Sequence, residues 1–558
     1  MAMRFVMNPI GVMGGLRTSA CYAPPLFLTA FVIFSTFFPF PTLLFFPQSC
    51  FPFLRLICWD PVALPVGMIL IVIVVLQVRA VSIAAREVLS SVPDSDLSSL
   101  KNGFRVASEC NGRPTATVGV WIDAGSRFET EENNGVANFF EHMIYKGTMK
   151  RAQSQLEKEL ESIGARLNSY TSREHTAIFA QCLSKDVEKV VAILADMIRN
   201  SKLDEATIEK ERSVILRKLE EAEDDYEGVV FDNLHAAAFQ GTPLAKPVIG
   251  PTKVIQSVDR KVLHDFVEDS YKPVRMVLTG VGGVSHGQLI SLSEKYFGDL
   301  SNDYQRKIPP AKGTRFTGSE WMYYPEAQSE WSGQQVESIT IPESASCEGF
   351  RYRDDNIPFM YGAIAVEGIG RNHHDYLPLQ VANTFVGCWD RTYGSSVNAP
   401  TRLAQKLSIA ADLHQYKSFL LSYKDTGLFG IYFVVDGNDH DETLAIVKAV
   451  QKEWKHLSTS VTDEGVDRAK NMLKTNLFQS LETNAGRADD IALQVLDTGK
   501  IQSMADLERD IERVDKSMVR EAMSRHVYDR DIACAGVGRT EAWPTYSHVR
   551  YGMSWWRL

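Results

Sequence analysis

At 558 residues the chain is too long for one compact core, so two to four domains are expected. Hydrophobic residues make up 45% and charged residues 23%, ordinary globular usage. The net charge of −10, with no basic stripe, excludes a nucleic-acid binder that works through bulk electrostatics.

In residues 1–78 the only charged side chains are Arg4, Arg17, Arg55 and Asp60, and Phe, Leu, Pro and Ile dominate. Two spans there are candidates to enter a bilayer. One is 26–46, interrupted by Pro39 and Pro41; the other is 61–77, at the short edge of what crosses roughly 30 Å of hydrocarbon. A signal-type apolar region, or translated non-coding sequence from a faulty gene model, accounts for the same composition. The run from Val78 to Arg86 carries Arg, Ser and Ala without acids, the composition of a mitochondrial presequence, so 79–93 reads as presequence end and lead-in.

From about Asp94 the pattern alternates between strand and helix. Residues 116–122 alternate as a strand does, while 186–199 and 206–223 have the spacing of amphipathic helices. The expected class is α+β. The eight cysteines are scattered without a C-x-x-C pair, which gives neither a disulfide framework nor a cysteine zinc knuckle and fits a reducing compartment.

An internal repeat sets the domain plan. "PTATVGVWIDAGSR" (114–127), followed by "VANFFEH" (136–142), recurs as "PFMYGAIAVEGIGR" (358–371), followed by "VANTFVG" (381–387). "DSYKPVRMVLTGVGG" (269–283) pairs in the same order with "RHVYDRDIACAGVG" (525–538). Two matches in one order point to duplication into two lobes, 94–305 and 350–558, each too large to be a solenoid unit. Residues 306–349 read as a polar linker in which 321–349 is an inserted segment. The aromatic, basic tail "YGMSWWRL" is expected to pack on its own lobe.

Asn138, Glu141 and His142 are the most informative residues. Positions i, i+3 and i+4 of a helix share a face, so their polar tips converge, while Phe139, Phe140, Met143 and Ile144 form a core-facing set. Taken alone, a Glu-His pair on such a helix is more often a solvated edge than a metal site.

The wider text adds a resemblance. "GSRFETEENNGVANFFEHMIYKGTMKR" (125–151) resembles the inverted zinc-motif region of the mitochondrial processing peptidase beta subunit, in the pitrilysin family. The likeness extends through "LNSYTSREHTAIFAQCLSKDVEKVVAILADMI" (167–198), "DNLHAAAFQGTPLAKPVIGPT" (232–252), "RDDNIPFMYGAIAVEG" (353–368) and "SYKDTGLFGIYF" (422–433). That family contains active peptidases and the core subunits of ubiquinol–cytochrome c reductase. The resemblance implies a pitrilysin-like fold of two homologous lobes, each a mixed, mostly antiparallel sheet covered by helices.

In the family H-x-x-E-H supplies two zinc ligands and a general base, and a Glu on a second helix completes the site. A catalytic zinc needs three protein ligands, one water and a carboxylate to take that water's proton. Carried over by residue, the first ligand falls on Asn138, the base on Glu141 and the second ligand on His142. The third falls on Lys218, seven residues past the retained Glu211. An amide is a poor zinc donor and an ammonium repels a dication. Glu221 is the one nearby carboxylate that offers an escape, across about 5 Å of extra helix rise.

The expectation is therefore a site that is no longer catalytic, with Glu141 a vestigial base and no metal held. The resemblance implies a non-catalytic core subunit of mitochondrial complex III on the matrix side of the inner membrane. Its partners would be a core subunit 2 homologue, cytochrome b, cytochrome c1 and the Rieske subunit, with a peptide or presequence as a further ligand of the cleft. No cofactor is expected in the chain, which lacks the haem motif C-x-x-C-H and clustered cysteines for iron–sulfur ligation. The alternatives are a zinc-dependent processing peptidase beta subunit and a binding protein anchored by 61–77.

Overall fold

The computed structural model describes residues 92–302, 314–323, 357–393, 398–409 and 412–555. The apolar spans 26–46 and 61–77, the presequence-like run 78–86 and residues 324–349 of the inserted segment lie outside the described residues. No helix among the described residues is long and apolar enough to cross a membrane.

Two six-stranded sheets organise the molecule. The first is built from β1 (Ser95–Ser99), β2 (Arg105–Cys110), β3 (Thr115–Ile122), β4 (Arg166–Thr171), β5 (Thr176–Leu183) and β6 (Met276–Gly282), in the order β1-β2-β6-β3-β5-β4. The second comprises β7 (Glu320–Tyr323), β8 (Met360–Ile369), β9 (Cys388–Asp390), β10 (Leu413–Ser422), β11 (Thr426–Val435) and β12 (Ile532–Gly538), in the order β7-β12-β8-β11-β10-β9. Five strands of each superpose in topology: β2-β6-β3-β5-β4 corresponds to β7-β12-β8-β11-β10. In both, the first pair is parallel and all the others antiparallel. The repeated sequence blocks fall on matching elements, β3 with β8 and β6 with β12.

β7 corrects the reading of 306–349 as a linker and of 321 as the start of an insertion. Residues 320–323 run parallel to β12, Glu320 opposite Cys534 and Tyr323 opposite Val537. Four residues are too few to display a period of two, and the partner strand comes from the far end of the chain.

Both sheets are buried on both faces, as the unbroken burial of β6, β11 and β12 records. Side chains alternate between the faces of a strand. In β3, Val118, Val120 and Ile122 point into the first lobe's own core with Val136, Phe140 and Val190, while Trp121 points the other way. That second face is covered by the Asn484–Thr498 helix, through Ile491, Ala492 and Val495, although its sequence belongs to the second half of the chain.

The second lobe mirrors this arrangement. Ile364 and Val366 of β8 face its own core, with Trp454 and Leu379. Ala363 and Ala365 face the Tyr226–Ala238 helix of the first half, through Val230, Leu234 and Ala238. Each half thus lends one helix to the other's sheet.

Polar groups secure the crossed helices. Arg487, buried like its partner, donates to Glu109 at 2.8 Å. Asp489 accepts from the Trp121 indole at 2.8 Å and from the Tyr170 hydroxyl. On the other side the His235 ring meets the Tyr423 hydroxyl at 2.6 Å. The described part of the C-terminal tail, to Trp555, packs on its own lobe, with the Trp555 ring 5.2 Å from Tyr528.

Candidate functional site

The site is carried by two helices, Val136–Met143 and Glu205–Glu223, beside the edge strand β4. The first begins at Gly135, whose φ of +97° is open to glycine at little cost. A Cβ there would lie 2.3 Å from the Ile249 carbonyl oxygen, so the chain passes too close for any side chain. The helix's free amides are met by Glu129, a carboxylate only 4% exposed, which accepts from the backbone of Gly135 and of Ala137 at 2.7 Å each. Burial raises the Glu129 pKa, against the pull of those hydrogen bonds.

Phe139, Phe140 and Met143 are buried in the first core, which turns Asn138, Glu141 and His142 toward the second helix. That helix buries Ile208, Glu211 and Ile215. Seven residues make two turns, so Lys218 lies on the same face as Glu211.

The structure brings together the residues read from the sequence. Lys218 Nζ lies 3.2 Å from His142 Nε2 and 3.4 Å from Asn138 Oδ1, an ammonium seated between two former ligand positions. With Nε2 accepting from the lysine, the ring hydrogen sits on Nδ1, which faces Glu211 Oε2 at 3.8 Å. Glu211 also holds Lys146 Nζ at 2.8 Å. Burial pushes the Glu211 carboxyl up, but hydrogen bonds from His142 and Lys146 overcome this and hold its pKa below the usual value. Burial lowers the Lys218 pKa, with Glu141 pulling the other way.

Glu141 accepts from the hydroxyls of Ser169 at 2.9 Å and Thr171 at 2.5 Å, both on β4, and Tyr145 donates to Ser169 at 2.6 Å. Asn138 Nδ2 is buried without a hydrogen-bond partner among the described residues.

Two parts of the sequence reading need amendment. Glu221 does not turn inward: it is exposed and pairs with Arg217 at 3.2 Å, which closes the carboxylate escape. Lys146, Ser169, Thr171 and Glu129 were not anticipated. A capping glutamate seven residues before its helix and hydroxyls on a separate strand carry no local spacing signal.

These residues do not fit a zinc ion. A dication at the His142 ring nitrogen would meet Lys218 within hydrogen-bonding distance, and an amide offers it little. Among the described residues, no set of three His, Cys, Asp or Glu ligand atoms close enough for one ion includes Glu141, His142 or Glu211.

Comparison with known proteins identifies the class. Residues 105–252 match the insulinase domain of peptidase family M16, and residues 257–473 match the peptidase M16 inactive domain. The chain belongs to this family. Asn138 to Lys218 lie within the first of the two domains, so the description of the second does not bear on them.

Among its relatives, mitochondrial cytochrome b-c1 complex subunit 1 of Caenorhabditis elegans is 51% identical, over 86% of this chain and 96% of the relative. The bovine (Bos taurus) mitochondrial-processing peptidase subunit beta is 43% identical, over 85% of this chain and 90% of the relative. A chain of complex III2 from Candida albicans, Inz-5 bound, shares the fold, with a TM-score of 0.68 at 24% identity over 82% of this chain and 99% of that one.

Proposed function

We propose that the chain is a non-catalytic core subunit of mitochondrial respiratory complex III, the ubiquinol–cytochrome c reductase, on the matrix side of the inner membrane. It supports assembly of the complex, alongside a homologous core subunit 2 and the cytochrome b, cytochrome c1 and Rieske subunits, which carry the redox groups. The 51% likeness to cytochrome b-c1 complex subunit 1 of Caenorhabditis elegans supports the assembly role.

The observation that carries the non-catalytic part is the Lys218 ammonium 3.2 Å from His142 Nε2. Peptide hydrolysis in this family's manner needs a metal to lower the pKa of a bound water and a free carboxylate to take its proton. Here a lysine cation stands against the imidazole, and Glu141 is engaged by two hydroxyls. What remains is a polar, hydrogen-bonded cleft in which a presequence-like peptide can rest without being cut.

The test is native electrophoresis of mitochondrial membranes with identification of co-migrating chains, joined to a cleavage assay on the purified complex. Co-migration with cytochrome b and cytochrome c1, and no presequence cleavage, is the expected result. Cleavage abolished by Glu141→Gln, with zinc lost on His142→Ala, would overturn the proposal in favour of the processing peptidase, a reading kept open by the 43% likeness to the bovine enzyme subunit.

A further inference from the structure

The second lobe holds a cluster of metal-ligating side chains away from the remodelled site. His373 and Asp375 stand in the turn that leads into the Tyr376–Val386 helix, and His526 closes the Lys516–His526 helix packed beside it. The donor atoms of these three residues lie within 4.8 Å of one another. His526 Nε2 is 2.8 Å from Asp375 Oδ2, and His373 Nδ1 is 3.8 Å from the same oxygen. A fourth donor is at hand: His374 Nε2 lies 3.4 Å from Asp375 Oδ1.

We infer that this cluster is a binding site for a divalent transition cation, zinc foremost, held by His373, Asp375 and His526 with His374 or water in the fourth position. Two imidazoles and a carboxylate are a donor set zinc accepts, with bonds near 2.0–2.2 Å. In a tetrahedron such bonds put the ligand atoms about 3.3 Å apart. The two separations to Asp375 Oδ2, 2.8 Å and 3.8 Å, lie on either side of that figure.

The simpler account is a polar clamp between two helices, and it explains less. Asp375 already has a full countercharge in Arg525, which donates to it. A clamp needs no further imidazoles, yet three of the chain's 12 histidines gather around this one carboxylate. Protonated together they would repel, with the His373 and His374 rings 4.2 Å apart and those of His373 and His526 5.4 Å apart.

Two costs oppose the ion. His373 Nδ1 now accepts the Asp375 backbone N–H at 3.1 Å, and coordination exchanges that bond for one to the metal. Arg525 must leave both the carboxylate and His374 Nε2, which lies 3.0 Å from its Nη1; unlike the half-buried Lys218 of the first lobe, it has room to do so, its side chain being 46% accessible.

The test uses Zn2+ alone, titrated into the purified complex and into variants of this chain. One zinc per chain is expected, weakened at least about tenfold by Asp375→Asn or His526→Gln and tightened by Arg525→Gln, which removes the competing cation but keeps every donor atom. The Arg525→Gln arm keeps the inference falsifiable if a ligand variant fails to fold. Absence of zinc binding in the wild-type chain and in Arg525→Gln, or binding unchanged in Asp375→Asn, overturns the site. Zinc held here survives His142→Ala and brings no presequence cleavage, so the result is independent of the core-subunit proposal.

Discussion

The two lobes place the same pair of helices at the same point of the same sheet and treat the polar face between them differently. In the first lobe, Asn138, Glu141 and His142 of the Val136–Met143 helix oppose Glu211 and Lys218. In the second, the aligned positions of the Tyr376–Val386 helix are Asn383, Val386 and Gly387, opposite the Asp463–Leu481 helix. Val386 there is fully buried, and Ala469 is buried on the facing helix. Asn383 keeps a hydrogen bond from the Ser418 hydroxyl at 2.6 Å.

The second lobe carries apolar side chains at most of these positions. The first kept its polar groups and satisfied most of them with hydroxyls, two lysines and a carboxylate, leaving Asn138 Nδ2 unpaired among the described residues. Buried polar atoms are costly only when left unpaired, so apart from that one amide both outcomes are stable. A duplicated scaffold therefore outlasts the chemistry it once positioned.

The comparison breaks most forcefully where the lobes hold each other. Arg487→Ala leaves Glu109 buried without its guanidinium, and the expected loss is about 3–5 kcal/mol, read from urea unfolding. A loss under about 1 kcal/mol would show the crossed helix to be held by its apolar face alone.

The next largest effect concerns the first lobe's polar face. Asn138→His with Lys218→Glu restores the ligand types, and zinc affinity is expected to rise at least about tenfold over the single Asn138→His change. Equilibrium dialysis of His526→Gln backgrounds isolates this gain from the second-lobe cluster. No gain would mean that Lys146, held by Glu211, has moved the site further than two side chains.

A smaller, pH-dependent effect attaches to Glu211. Its carboxyl is held below the ordinary value, so its contribution to stability is fully present above the unfolded pKa of about 4.3 and is lost as pH falls through the lower folded value. Glu211→Gln should flatten that acid limb in thermal melts. Smallest of all, Glu221→Ala removes only an exposed helix pair, and a change below about 0.5 kcal/mol is expected in chemical denaturation.

Much of this was readable in the residues. The repeat announced two lobes because duplicated strands retain their buried alternation, as β3 and β8 do. The helix face at 138–142 was readable because 3.6-residue periodicity is local, whereas Lys218 was singled out by the family resemblance and only its shared face with Glu211 by a count of two turns. What escaped reading depends on distant partners. Nothing in 226–238 or 484–498 tells which sheet each helix will cover, since an apolar stripe fits either. β7 is too short to declare itself, and Glu129 reaches its helix only because the loop folds back.

The reciprocal loan of helices also fixes an order of events in time. A first lobe made or imported ahead of the rest has residues 95–282 in hand, yet the face around Trp121, Val277 and Val281 stays wet until 484–498 arrives. Such an exposed apolar sheet is prone to wrong pairings. A chain ending before residue 484 is therefore expected to expose that face and aggregate, and not to fold as half a working subunit.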